Sequence, residues 1–222
     1  MSGSGYTGTV EVGGPAGVRE LPGLVVSKLA VGEMDNNAYL LRDVATGEAL
    51  LIDAATDADA LLRLIGDADL RTVVTSHGHW DHHRALPEVV EATGAVTVAH
   101  PADAADLPVP VERVVEHGDT VRVGEHTLEV IHLRGHTPGS IALLWRGPGD
   151  AGPHLFTGDC LFPGGVGNTQ KDPERFARLL GDVEERLFTP LPDQTWVYPG
   201  HGKDTTLGAE RPHLAEWRAR GW

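Results

Sequence analysis

Short apolar runs of β-type composition dominate the first part of the chain. Residues 23–31 (GLVVSKLAV), 38–43 (AYLLRD) and 49–54 (ALLIDA) show apolar alternation or unbroken apolar character over a strand's length, and they predict sheet strands. Residues 56–65 predict a first helix, with Thr56 or Asp57 as N-cap and Leu61, Leu62 and Leu64 among its apolar positions. A buried strand, TVVTS at 72–76, runs directly into the segment HGHWDHH. A helix from about 83 to 93, a strand over 95–100 and a short segment after Pro101 complete the first half.

The second half repeats the theme. Residues 120–133 (TVRVGEHTLEVIHL) predict a hairpin, and IALLW (141–145) and HLFTG (154–158) predict two further strands. The clearest helix spans 172–188, with Asp172 as N-cap, Pro173 at the first helical position and Phe176, Leu179, Leu180, Val183 and Leu187 at helical spacing. TWVYP (195–199) is the last predicted strand, and His201 lies just past its end. Two sets of strands, each finished by helices, predict an α/β fold: a four-layer αββα sandwich with two facing mixed sheets and outer helices. No linker divides the chain, so a single domain over 1–222 is expected, with residues 1–20, rich in Gly, Ser and Thr, as a loose N-terminal arm or an irregular first strand.

Composition narrows the function classes. Lys plus Arg is 18 against 32 for Asp plus Glu, a net charge of −14 that repels a phosphate backbone, so nucleic acid is excluded as a partner. The single cysteine, Cys160, excludes an intramolecular disulfide. Neither a basic, apolar N-terminal leader nor a run of roughly 20 apolar residues is present, so a cytoplasmic protein without a membrane partner is expected. Oligomeric state leaves no trace in the sequence. Arg outnumbers Lys, and Ala and Gly are abundant, a habit of GC-rich genomes.

The chemistry concentrates in HGHWDHH, residues 77–83, where four His and one Asp occupy seven positions after a buried strand. In extended backbone His77 and His79 project to one side and can reach one cation, while Asp81 and His82 follow a turn and can serve a second. Any one of these histidines could equally be a solvated loop residue; the four together point to metal.

This segment resembles the HxHxDH motif of the metallo-β-lactamase superfamily, and four more motifs occur in the family's order: LIDA with Asp53, GHTPGS with His136, TGDCLF with Asp159 and PGHG with His201. The resemblance implies His77, His79 and His136 on one metal, Asp81, His82 and His201 on a second, and Asp159 bridging them. Two divalent ions are implied, Zn foremost, with Fe or Mn also accepted by such ligands. Asp53 is expected to support the site from behind, and Cys160, one residue past the ligand position, to be a small buried hydrophobe. His83, His100, His117, His126, His132, His154 and His213 match no ligand position. Trp80 either walls the pocket or merely packs.

Within the superfamily the chain resembles glyoxalase II, a thioester hydrolase, through GDCLF, GGVGNT and PGHGKDTTLGAER. The implied reaction is attack of a bridging hydroxide on a small-molecule acyl-thiol substrate, with Asp81 and Asp159 orienting it. A mono-iron persulfide dioxygenase, using His77, His136 and Asp159, is the alternative; a lactonase is disfavoured by Phe162 and a β-lactamase by Asp159. The chain ends about 20 residues after His201, short of the helical C-terminal region of typical glyoxalase II. Asn168 stands where a Lys or Arg often contacts glutathione. Acyl-mycothiol is therefore the expected substrate in place of a glutathione ester.

Overall fold

The computed structural model describes residues 5–221. Seven strands build the first sheet in chain order: β1 (Gly17–Leu21), β2 (Leu24–Val31), β3 (Asn36–Asp43), β4 (Glu48–Ile52), β5 (Asp69–Val74), β6 (Val96–Ala99) and β7 (Arg113–Val114). β1 to β4 pair antiparallel and β4 to β7 parallel. The second sheet combines β8 (Thr120–Val123), β9 (His126–His132), β10 (Ile141–Arg146) and β11 (Pro153–Gly158) with two later strands. A small separate hairpin, β12 (Leu161–Phe162) with β13 (Gly165–Val166), precedes those two, β14 (Trp196–Pro199) and β15 (Thr205–Thr206). The order is β15-β14-β11-β10-β9-β8, with β14 parallel to β11, so both sheets are mixed.

The pleat explains the unbroken apolar runs. On β4, Leu50 and Ile52 face the second sheet while Ala49 and Leu51 face outward to helices; on β10, Leu143 and Trp145 point inward and Ala142 and Leu144 outward. Helices α1 (Ala58–Ile65) and α2 (Leu86–Thr93) cover the first sheet through Leu61, Ile65, Leu86 and Val89. On the far side α3 (Pro173–Val183), the short α4 (Leu207–Glu210) and α5 (Leu214–Arg220) cover the second through Phe176, Leu179, Leu207 and Trp217. The result is the αββα sandwich, its central layer filled from both sheets by residues such as Leu24, Val26, Leu128 and Phe156.

Local chemistry sets the helix ends. Asp57 accepts from the Ala60 N–H and Asp172 from those of Glu174 and Arg175, while Pro173 contributes no donor that would need a partner. α2 starts at Leu86, later than the expected 83: His83 has a non-helical backbone (φ −145°), and the Arg84 and Ala85 N–H groups donate to Ala55 O and Ala54 O. α3 continues through a π-helical turn, Glu184–Phe188, to the end that periodicity predicts. Sequence periodicity gave no sign of α4 and α5, which are one or two turns long.

Of the two readings of residues 1–20, a loose arm or an irregular first strand, the second fits the described residues better. Residues 1–4 lie outside the described residues, but from Tyr6 onward the segment is tied down and β1 joins the sheet. The Tyr6 hydroxyl donates to Asp204 Oδ2 at 2.7 Å, its ring lies 6.1 Å from that of Trp196, and Gly8 O accepts from Lys28 Nζ at 2.8 Å. Gly- and Ser-rich composition hides these anchors because two of the three use backbone or a single aromatic ring.

Candidate metal centre

Four stretches deliver the predicted site residues to one edge of the sandwich. His77 follows the end of β5, and His79, in extended backbone, precedes a 3-10 turn over Trp80–His82 that presents Asp81 and His82. His136 lies in the β9–β10 connection, Asp159 directly after β11 and His201 directly after β14. The sheets are pinned together at this edge: Ile141 N–H donates to Ser76 O at 2.9 Å and Asn37 N–H to Gly200 O at 2.7 Å.

The seven residues converge. Three groups have potential ligand atoms within 4.8 Å of one another: His77, His79 and His136; His77, His82 and Asp159; and Asp81, His82 and His201. Asp159 stands between the outer two, with Oδ2 3.6 Å from His136 Nε2 and 3.4 Å from His201 Nε2, and Oδ1 3.4 Å from His82 Nε2. Close approach of backbone makes this possible. A side chain at Gly200 would collide with Asp159 Oδ1 and come within 2.8 Å of the His82 ring, and one at Gly158 (φ 47°) would strike Ser76 Oγ at 2.6 Å.

The hydrogen bonds around the imidazoles test whether a cation fits. The Nδ1–H of His82 donates to Asp53 Oδ2 at 2.9 Å, that of His136 to Asn168 O at 2.9 Å and that of His201 to Met34 O at 2.8 Å. Those acceptors require the proton on Nδ1, which leaves each Nε2 with a lone pair turned into the cluster. His77 Nδ1 lies 3.0 Å from Ser76 Oγ, which in turn donates to Asp53 Oδ2 at 2.7 Å. Facing nitrogens then meet without a proton between them, His77 and His136 at 3.3 Å and His82 and His201 at 3.2 Å. Asp159 Oδ1 is buried with no hydrogen-bond partner among the described residues. Lone pairs facing lone pairs beside an unpartnered carboxylate oxygen are unfavourable unless cations lie between them, so the residues present fit two metal ions.

The electrostatics agree. Burial, opposed by the Asp159 charge, pulls His136 down to about 4, and burial together with the His82 charge puts His77 well below its ordinary value, so both are neutral donors. Burial also works against the charged forms of His82 and His201, but close contact with Asp159, with Asp53 at His82 and Asp81 at His201, outweighs it and lifts both to about 10, so a proton and a cation compete for the same Nε2 lone pairs. Asp81 and Asp159 are held well below the carboxylate range: burial pushes them up, and the close contact of both with His201, together with Asn36 at Asp81 and His82 at Asp159, pushes them further down. The centre is an anionic hollow that draws positive charge.

Several supporting residues escape sequence reasoning. Asn36 donates to Asp81 Oδ2 at 2.9 Å. Asp103, fully buried, accepts from Gly78 N–H, Thr137 Oγ1 and Gly139 N–H and so ties the His77–His79 turn to the loop of His136. Arg175 of α3 holds the carbonyls of Gly135 and His136. Asp53 takes the supporting role expected of it, in a left-handed conformation (φ 60°) that aims both oxygens at Ser76 and His82. Cys160 is buried against Leu133 in the outer core, its thiol pushed up by burial. None of His83, His100, His117, His126, His132, His154 and His213 joins a group of three potential ligands among the described residues.

Three clefts run in series past the centre. One of about 470 Å³ is lined by Trp80, Asp81, Arg84 and Met34; the next, about 490 Å³, by Met34, Asp159, His201, Phe162 and Lys203; the largest, about 960 Å³, by Phe162, Gly165, Asn168, Lys171 and Arg220. Met34 and Phe162 are the shared walls.

The chain is similar to several known proteins over most of its length. A hydroxyacylglutathione hydrolase of Methylobacterium is 34% identical over 194 residues, covering 82% of this chain and 67% of its own length. The crystal structure of ETHE1 from Myxococcus xanthus superposes with a TM-score of 0.74 at 33% identity, covering 87% of this chain and 84% of that one. The structure of TTHA1623 in a di-iron-bound form has a TM-score of 0.68 at 31% identity, covering 83% and 96%. The family model that matches residues 31–201 spans every residue of the cluster from Asn36 to His201, and with it the chain belongs to the metallo-beta-lactamase superfamily.

Proposed function

We propose that the protein is a two-metal hydrolase that cleaves the thioester of a small, acylated thiol. The observation that carries this reading is Asp159, whose Oδ2 lies 3.6 Å from His136 Nε2 of one histidine group and 3.4 Å from His201 Nε2 of the other, while its Oδ1 faces His82. His77, His79 and His136 would hold one ion, Asp81, His82 and His201 the other, and Asp159 both. Bound there, the pair supplies Lewis acidity toward the thioester carbonyl and lowers the pKa of water toward neutrality, to about 7 in favourable sites.

The chain's own residues do the remainder. Asp53 and the Asn168 and Met34 carbonyls lock the imidazole tautomers, so no ligand has to reorient during turnover. Asn36 occupies one oxygen of Asp81 and so fixes the direction of that carboxylate. The water oxygen ends in the new carboxylate, the C–S bond breaks, and sulfur leaves with the bonding pair as a thiolate. Thiols have a pKa of about 8.5, so the departure needs no dedicated acid.

The 960 Å³ cleft beyond Phe162 has room for the thiol carrier. Asn168 removes one cation there, as the sequence implies, yet Lys171 and Arg220 line the same space. A carboxylate-bearing thiol such as glutathione therefore meets counter-charges, and its esters should be assayed beside those of mycothiol. Support for the reaction class comes from the similarity to hydroxyacylglutathione hydrolases. The test is thiol release from such esters by metal-loaded protein: chelator-sensitive hydrolysis, with little action on lactones or β-lactams, is expected. Persulfide-dependent oxygen uptake without thioester cleavage would overturn the reading.

A further inference from the structure

Seven large apolar side chains are exposed on the described surface, but only two of them, Met34 (50%) and Trp80 (55%), line a cleft that reaches the metal centre. An indole left half in water beside a reactive site contributes nothing to the core, and its face is available to a ligand. Arg84 adds charge. Its guanidinium sits over the Trp80 ring, 5.0 Å from the centroid, and its backbone is fixed by donation to Ala55 O at 2.9 Å. The side chain forms no ion pair among the described residues, including with Glu33, which also lines the cleft. A guanidinium near an indole face keeps its charge and its N–H donors, and these can take a carboxylate in bidentate fashion. In a chain of net charge −14, this cation decides which anions can approach the Asp81 end of the centre.

We infer that the Trp80–Met34–Arg84 cleft receives the acyl half of the substrate and selects short acyl groups that end in a second carboxylate. The inference rests on the thioesterase reading and deepens it: with the carrier beyond Phe162 and the scissile carbonyl at the metals, the acyl chain extends toward Arg84. Trp80 and Met34 cover the methylene groups and Arg84 holds the terminal carboxylate. Arg84 is thus a specificity-determining residue, remote from the bond that breaks.

The test compares succinyl and butyryl esters of one thiol, which have equal chain lengths and differ in the terminal carboxylate. Wild-type protein should favour the succinyl ester by at least about tenfold in kcat/KM, equivalent to about 1.4 kcal/mol. Arg84→Gln should bring the ratio to about one, with the loss falling on the KM of the succinyl ester. No succinyl preference in the wild type, or one that survives Arg84→Gln, overturns the inference. If neither ester is hydrolysed, the thioesterase reading fails by itself, and the cleft is judged by calorimetric titration of the metal-loaded protein with succinate and butyrate. Tighter succinate binding that Arg84→Gln abolishes supports the subsite, and equal binding of the two acids refutes it.

Discussion

Replacing Asp159 with alanine should strip one of two bound cations and lower thioester turnover by at least about a hundredfold. The carboxylate faces both sets of histidines, His136 and His201 through Oδ2 and His82 through Oδ1, so its loss removes a contact from each set. Its loss also leaves His82 and His201 with only Asp53 and Asp81 as anionic partners. Elemental analysis of the variant, with kcat measured at saturating ester, checks both halves. Two retained metals together with turnover within tenfold of wild type would show that Asp159 is dispensable for holding the pair.

Lys28→Met is expected to destabilise the fold by about 3–5 kcal/mol. Lys28 is fully buried in a strand and spends three donors on Gly8 O, Gly202 O and Asp204 Oδ1, the complement of an ammonium group. Asp204 accepts from Lys28, Tyr6 and Trp196, so every contact to it is from a donor and it is a carboxylate. Burial lowers the Lys28 ammonium and raises the Asp204 carboxyl, each partly offset by the charge of the other; removing one therefore strands its partner without compensation. Gly202 follows His201, so the same variant should loosen the loop that presents that ligand. Urea unfolding gives the magnitude, and the double variant Lys28→Met with Asp204→Leu should recover part of the loss, because an apolar pair can fill such a site. A single-variant change under about 1 kcal/mol would mean that water enters and rescues the stranded charge.

Much of this architecture can be read from residue order, and the exceptions have a common cause. Strand patterns, the Asp57 and Asp172 caps and the ligand motifs are local, and local reading finds them. What it misses is contact between distant segments. Asp103 meets Gly139 across 36 positions, Asn36 meets Asp81 across 45, and Lys28 meets Asp204 across 176. A lysine inside GLVVSKLAV signals that a partner must exist, but only the folded chain names it. The same holds for Lys171 and Arg220: Asn168 alone suggested a cleft poor in cations, whereas folding brings the C-terminal helix to its rim. Trp80 was ambiguous in sequence, and its exposure at the cleft decides in favour of the pocket wall.

The central claim is that paired cations occupy the cluster, and metal content measured on active protein tests it most directly. Two ions per chain, with thioester hydrolysis rising in proportion to the second, is the predicted result. A single iron per chain, accompanied by oxygen consumption and no thiol release, would contradict it.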